Sequence, residues 1–364
     1  MKKFLIIIIS VILLLISFTI SASAVDTDFE SVWDSTDEQT KEYLEDLGID
    51  ELTFEEIFDL SPLRVIEFLI DLAFDSGITI VKNITLIIVV LVITAISCSF
   101  LRENDKTEQV VYFICTLIII SIVIAPISRM LTDAVAGIKT STVFVNAYLP
   151  VMTAIIIASK NPALAVTYNS FSLFLSSLIS NVANSFLLPV ISALLSFNIL
   201  SSFSFENYRD RIVKAIRKMI VIILSLFSTI YTGLLTTQSI LATSSDSVML
   251  KGIKFISGAF VPIVGGGVGD AISSVFSSFV IMKNTLGVFV IIVIILINLP
   301  VMIELLLWYF ALNLCSIVSS MFNLHQVTDI IDSLSSILSL LNTIMFFVTF
   351  VLVISTGVII MMGK

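Results

Sequence analysis

Few side chains in this chain of 364 residues carry reactive chemistry, and fewer still stand at spacings that let them act together. The one histidine, His325, cannot by itself build a multi-histidine metal site. Cys98, Cys115 and Cys315 each lie in an apolar run, and no C-x-x-C pair occurs. They read as small core residues rather than ligands, redox centres or a disulfide framework. The many serines lack a base, because His325 shares a polar stretch with Asp329 and Asp332 that reads as a solvated turn before the last helix. The sequence therefore offers no catalytic residue, no metal-ligand set and no cofactor-binding motif.

What remains is a set of residues able to break a helix or line a passage. Gly265-Gly266-Gly267-Val268-Gly269-Asp270 fails the G-x-G-x-x-G spacing, follows no strand and lacks the Lys-Ser/Thr of a phosphate loop. Irregular backbone at membrane depth is tolerated only inside protein or beside water. Two readings of this cluster stay open: a re-entrant tip or gate, and a flexible extracytoplasmic loop. Pro150, Pro189, Pro262 and Pro300 each interrupt apolar sequence, and Glu304 follows Pro300 by four residues with apolar residues on both sides. An ionisable group there faces a pathway or a partner within a bundle, or else snorkels to an interface. Pro150, Pro189, Pro262, Gly265, Gly266, Gly267, Gly269, Pro300 and Glu304 are thus the candidate pathway or gate residues.

The elements that must position them are set by composition. The chain is 57% hydrophobic and 13% charged, with a mean hydropathy of +1.11. A soluble domain sits nearer about 45–50% and about 25%. One core cannot hide that much apolar surface, so a soluble globule, a disordered chain, a coiled coil and a nucleic-acid-binding domain are all excluded. The pattern predicts an all-α, polytopic helical membrane protein in contact with a lipid bilayer. The net charge of −9 conceals an asymmetry: residues 25–77 carry 17 carboxylates against Lys41 and Arg64, or −15, which leaves +6 for the remainder.

Along the chain, Met1-Lys2-Lys3, the apolar run Phe4–Ile20 and Ala22-Ser23-Ala24 form a signal-peptide pattern over 1–24, cut before Val25. The long apolar run leaves an uncleaved anchor open. Residues 25–77 follow as an acidic extracytoplasmic helical segment. Leu63, Ile66, Leu69 and Ile70 recur at helical spacing there, and Ser61-Pro62 opens that helix. With so little core, this segment is expected to lean on the membrane part or on a partner.

Residues 78–364 form the multi-pass domain. Its charge-free windows are 83–101, 109–128, 161–205, 219–245, 284–303, 305–328 and 333–363, the third divided at Pro189. The apolar pieces around Pro150 and Pro262 are full spans or re-entrant half-spans, giving about six spans and up to about eight. The dense basic stretch Arg209, Arg211, Lys214, Arg217 and Lys218 belongs in the cytoplasm.

An internal repeat is visible. Leu149-Pro150-Val151 and Leu188-Pro189-Val190 recur as Val261-Pro262-Ile263 and Leu299-Pro300-Val301, at offsets of 112 and 111. Gly137-Ile138-Lys139 matches Gly252-Ile253-Lys254. These matches predict a parallel duplication, with copies at about 110–205 and 219–322 and a closing helix at 335–361. Repeats carrying broken helices at matching positions are a feature of transporter-like folds.

The run from Gly258-Ala259-Phe260-Val261-Pro262-Ile263-Val264-Gly265-Gly266-Gly267 through Asp270-Ala271 resembles the stage III sporulation protein AE family. Lys283-Asn284-Thr285-Leu286-Gly287 and Leu299-Pro300-Val301 are similar to it as well. The resemblance implies a multi-pass protein of the outer forespore membrane, made in the mother cell. It would belong to a secretion-like channel complex with the other proteins of the stage III sporulation A operon and with stage II sporulation protein Q. The family brings no catalytic residues to carry over. Two functions follow: a channel- or transporter-like core, or a non-transporting scaffold that docks ring-forming partners.

The charge bias makes one topological prediction. Cysteines introduced at Ser35 and Ser204 should react with an impermeant reagent from opposite sides of the membrane; reaction from one side would overturn the crossing count.

Overall fold

The structure is a computed structural model that describes residues 30–50, 56–57, 60–101, 106–158, 162–182, 185, 188–201, 215–216, 218–227, 229, 233 and 265–361. The signal-peptide pattern, the basic residues from Arg209 to Lys214 with Arg217, and Pro262 lie outside these residues. Among the described residues the regular structure is helical and no strand occurs. The helices are α1 (Glu30–Asp34), α2 (Glu38–Asp46), α3 (Pro62–Ser99), α4 (Lys106–Ala158), α5 (Pro162–Val182), α6 (Leu188–Ser201), α7 (Lys218–Phe227), α8 (Gly265–Met321) and α9 (His325–Met361). Four stretches, Pro62–Ser99, Thr107–Ile157, Val280–Met321 and His325–Gly357, are long and apolar enough to cross a membrane.

Two of the expected breaks are absent. Windows 284–303 and 305–328, read as separate spans, belong to α8 up to Met321, and that helix runs unbroken through Pro300 and Glu304. Pro150 likewise sits inside α4, with Pro126, and not in a separate re-entrant piece. A proline in a helix removes one hydrogen bond and crowds the preceding turn, but neighbouring helices hold such segments straight in membrane proteins. Gly265, Gly266, Gly267 and Gly269 are helical too, in the first turns of α8. Pro189 behaves differently: α5 ends at Val182 and α6 starts at Leu188, so this proline falls in a first turn, where its missing N–H costs nothing. His325 begins α9, so the polar stretch read as a turn is helical.

Helices α8 and α9 form an antiparallel hairpin. Its connection turns on Asn323, the one described non-glycine residue with positive φ (57°), and Leu324 N–H closes back on Ser319 O at 3.1 Å. Side chains lace the hairpin together. Asn313 Nδ2 donates to Ser335 Oγ at 2.9 Å, Ser316 Oγ donates to Asp332 Oδ1, and Thr328 Oγ1 donates to Ser319 Oγ at 2.9 Å. About two-thirds of the apolar window of α8 is buried, against about one-fifth for α3, so α8 is the axis and α3 the rim. From Leu286 to Ile294 every side chain of α8 is buried.

The acidic segment rests on this bundle. Its small core of Val32, Leu44, Leu47 and Ile49 is buried, Trp33 lies 5.9 Å from the ring of Phe289 on α8, and Tyr43 meets Phe68 of α3 edge-on at 5.4 Å. Helix α2 begins at Asp37, whose carboxylate accepts from Thr40 N–H at 3.2 Å, and ends at Gly48, where φ is +84°.

Gly287 fixes how closely α8 and α9 approach, because a Cβ there would stand 2.5 Å from Ile360 Cγ1. Gly287→Ala is expected to lower stability by about 1–3 kcal/mol, and adding Ile360→Ala should restore much of it. Thermal unfolding of both variants in detergent checks this. Equal melting of wild type and Gly287→Ala would show that the close approach is not required.

Candidate functional site

The polar groups that the helices bring together lie along the seam where α4 meets α8 and α9. Glu304 of α8 pairs with Arg129 of α4; the Glu304 side chain is 17% exposed and that of Arg129 60%. This answers the question left by the sequence, since Glu304 is neither isolated nor snorkelling but ion-paired across helices. Arg129 has a carboxylate one turn away on its own helix, Asp133, yet it pairs with Glu304, which the antiparallel packing of α4 and α8 brings to it.

Six residues before Glu304, Asn298 of α8 is fully buried and its Nδ2 donates twice, to Ser141 Oγ of α4 at 2.7 Å and to Ile294 O at 2.8 Å. The second acceptor is a carbonyl, so the amide orientation is fixed: Oδ1 must point the other way, towards Gly137 of α4. A Cβ on Gly137 would meet that Oδ1 at 3.2 Å and Met345 Cε of α9 at 3.6 Å. Glycine here lets three helices converge on one point, as small residues do in membrane interfaces. Asn298 Oδ1 itself has no hydrogen-bond partner, and neither does the buried Asn342 Oδ1 one turn before Met345.

Beyond this point Tyr148 of α4, itself buried, bonds Tyr168 Oη of α5 at 2.8 Å and Thr356 Oγ1 of α9 at 3.1 Å. Ser176 Oγ of α5 donates to Thr142 O of α4 at 3.3 Å. Near the start of the apolar window of α8, Lys283 is 1% exposed, beside Asn284 Oδ1 and Thr285 Oγ1, two buried atoms without partners. The seam thus carries an ion pair at one level, an amide cluster at the next and a tyrosine–threonine network beyond it. Arg129 and Tyr148 are about 28 Å apart along α4 at 1.5 Å per residue.

Of the residues singled out in the sequence, Pro300 and Glu304 stand together on this seam, while Pro150 and Pro189 are exposed on α4 and α6. The glycines 265, 266, 267 and 269 lie at the other end of α8 from Glu304, and Pro262 is outside the described residues. Among the described residues, Pro150, Pro189 and these glycines do not lie on the seam with Pro300 and Glu304. Arg129, Gly137, Ser141, Asn298, Tyr148 and Lys283 are further residues that the packing of the helices singles out. The usable signal was a polar residue inside a charge-free window, which Asn298 satisfies two positions before Pro300. Among the described residues no group of histidine, cysteine, aspartate and glutamate is placed to hold a metal ion.

Comparison with known proteins adds a family. Residues 39–363 match the family profile of Stage III sporulation protein AE. The chain is also similar to Stage III sporulation protein AE of Bacillus subtilis (strain 168), 23% identical over 286 residues that cover 75% of this chain and 72% of that protein. No solved structure matches.

Because the Arg129–Glu304 pair links α4 to α8 but Arg129 is largely exposed, Arg129→Glu and Glu304→Arg should each lower stability by about 0.5–1 kcal/mol. The double exchange should recover most of the loss. A double variant no more stable than the worse single variant would show that the two side chains do not act as a pair.

Proposed function

Because the chain belongs to the stage III sporulation protein AE family, and so has a role in sporulation, we propose that it is the membrane scaffold of a secretion-like channel complex between mother cell and forespore. Its assembly partners are then the other proteins of the stage III sporulation A operon and stage II sporulation protein Q. Its location is the outer forespore membrane, with the acidic segment extracytoplasmic and the bundle multi-pass in the bilayer. The observation that carries the scaffold reading is the stretch Leu286–Ile294 of α8, apolar apart from Gly287 and buried on every side. A helix packed in this way forms a solid axis, whereas a conducting protein places polar groups along a continuous wet path. The long, largely exposed apolar faces of α3 and α4 give such a scaffold surface for lipid and for neighbouring subunits.

A second reading, a channel- or transporter-like core, draws on the unpartnered Asn298 Oδ1 and Asn342 Oδ1, which a transported solute or water could satisfy. One substitution separates the two. Asn298→Leu removes the buried amide at similar volume, which costs little when its partner Ser141 can bond its own helix. As a scaffold, the protein carrying Asn298→Leu should still assemble and support spore formation at near wild-type yield. Normal assembly with failed spores would place function in the polar seam and favour the transport core.

A further inference from the structure

Helix α3 carries a surface that its own bundle leaves uncovered. Leu63, Ile66, Ile70, Phe74 and Ile78 stand along one face, each 47–72% exposed, while Phe68 and Ile80 on the opposite side are buried against the rest of the protein. Beside this stripe run Glu67, Asp71 and Asp75, all exposed and spaced four residues apart, so they form one acidic row along its edge. None of the three is ion-paired with a described residue.

Lipid cannot be the cover. Within α3 the residues after Lys82 are free of charge, and Asn83–Ser99 span about 25 Å, enough for most of a hydrocarbon core. The helix is continuous, so the stripe rises from that span by about another 30 Å rather than lying along the membrane plane. Set into hydrocarbon instead, the same face would expose three carboxylates to lipid tails. A second copy of this chain fits less well. Arg64 and Lys82 flank the row on the same side of α3, but Glu67, Asp71 and Asp75 outnumber them, so two such faces would meet with a net excess of carboxylates.

We propose that this face of α3 docks an amphipathic helix of another protein, one whose apolar stripe is edged by lysines or arginines at matching four-residue intervals. The proposal rests on the reading of this chain as one subunit of a membrane complex and names the chemistry of a neighbour within it. Apolar side chains in an i, i+3, i+4 pattern supply the buried area, and the acidic row sets orientation and speeds encounter. A basic row also explains why the carboxylates stand at the edge of the stripe, where they can be reached and still keep contact with water.

The test uses the full-length protein in lipid nanodiscs and a fluorescent synthetic helix of about 18 residues (five turns) with a leucine stripe and a lysine row. Its control is the same helix with glutamate in place of lysine. The lysine peptide should bind saturably and about ten-fold or more tightly than the control, and high salt should erase the difference. Phe74→Asp should abolish binding. Joint Glu67→Gln, Asp71→Asn and Asp75→Asn should leave the two peptides bound equally, and because these positions are exposed the fold is kept.

p-Benzoylphenylalanine placed at Phe74 should crosslink the lysine peptide. Equal binding of both peptides by the unaltered protein, no binding, or crosslinks from Phe74 to lipid tails or to a second copy would each overturn the proposal. The assay needs no spore, so such a result would leave the family role standing, whereas the spore-yield test of Asn298→Leu addresses only that role.

Discussion

A polar group surrounded by hydrocarbon has to find its partner inside the protein, and this constraint organises the whole molecule. It makes every described regular segment a helix, since a helix satisfies its backbone internally. It also puts the polar side chains of α4 where α8 and α9 can meet them. Arg129 reaches across to Glu304, so the half-buried carboxylate of α8 is matched by a cation from α4. The antiparallel register of α4 on α8 follows from that pairing together with Asn298 on Ser141, because both contacts are met by one alignment of the two helices.

Close approach of the helices is the second constraint. In a membrane the hydrophobic effect gives helices little reason to choose one another over lipid, so shape and interhelical bonds decide. Among the described helical glycines, Gly137 and Gly287 lie against side chains of neighbouring helices, Gly137 beneath Asn298 and Met345, Gly287 beneath Ile360 and Met152. Between them Tyr148 ties α4 to both α5 and α9. Helix α8 is enclosed from Leu286 to Ile294, and it runs on unbroken through Pro300, where residues 299–304 are half-buried.

The acidic segment follows a different rule. Its −15 charge works against a compact independent fold, yet Trp33 and Tyr43 give it aromatic anchors on Phe289 and Phe68. Those anchors put it on the same end of the bundle as the first turns of α3. The carboxylates at Glu42, Glu45, Asp46 and Asp50 stay exposed on its outer surface, as do Glu67, Asp71 and Asp75 on α3, so this end of the molecule presents a broadly acidic face.

Composition alone determined that the chain is helical and belongs in a membrane, because 57% hydrophobic residues and long charge-free windows leave no other way to cover apolar surface. The family was legible as well, in the run from Gly258 to Val301. Helix continuity was not. A proline or a lone glutamate looks in sequence like a break or a boundary, and whether Pro150 or Pro300 interrupts its helix depends on neighbours that no local pattern names. The site was half legible: Glu304 stood out as a charge in apolar sequence, but its partner Arg129 lies 175 residues away. Asn298, Ser141 and Gly137 look ordinary until α4 and α8 are laid side by side. Periodicity reports what each helix is, and only the tertiary structure decides which helices share a seam, because the pairing energy arises between residues far apart in the chain.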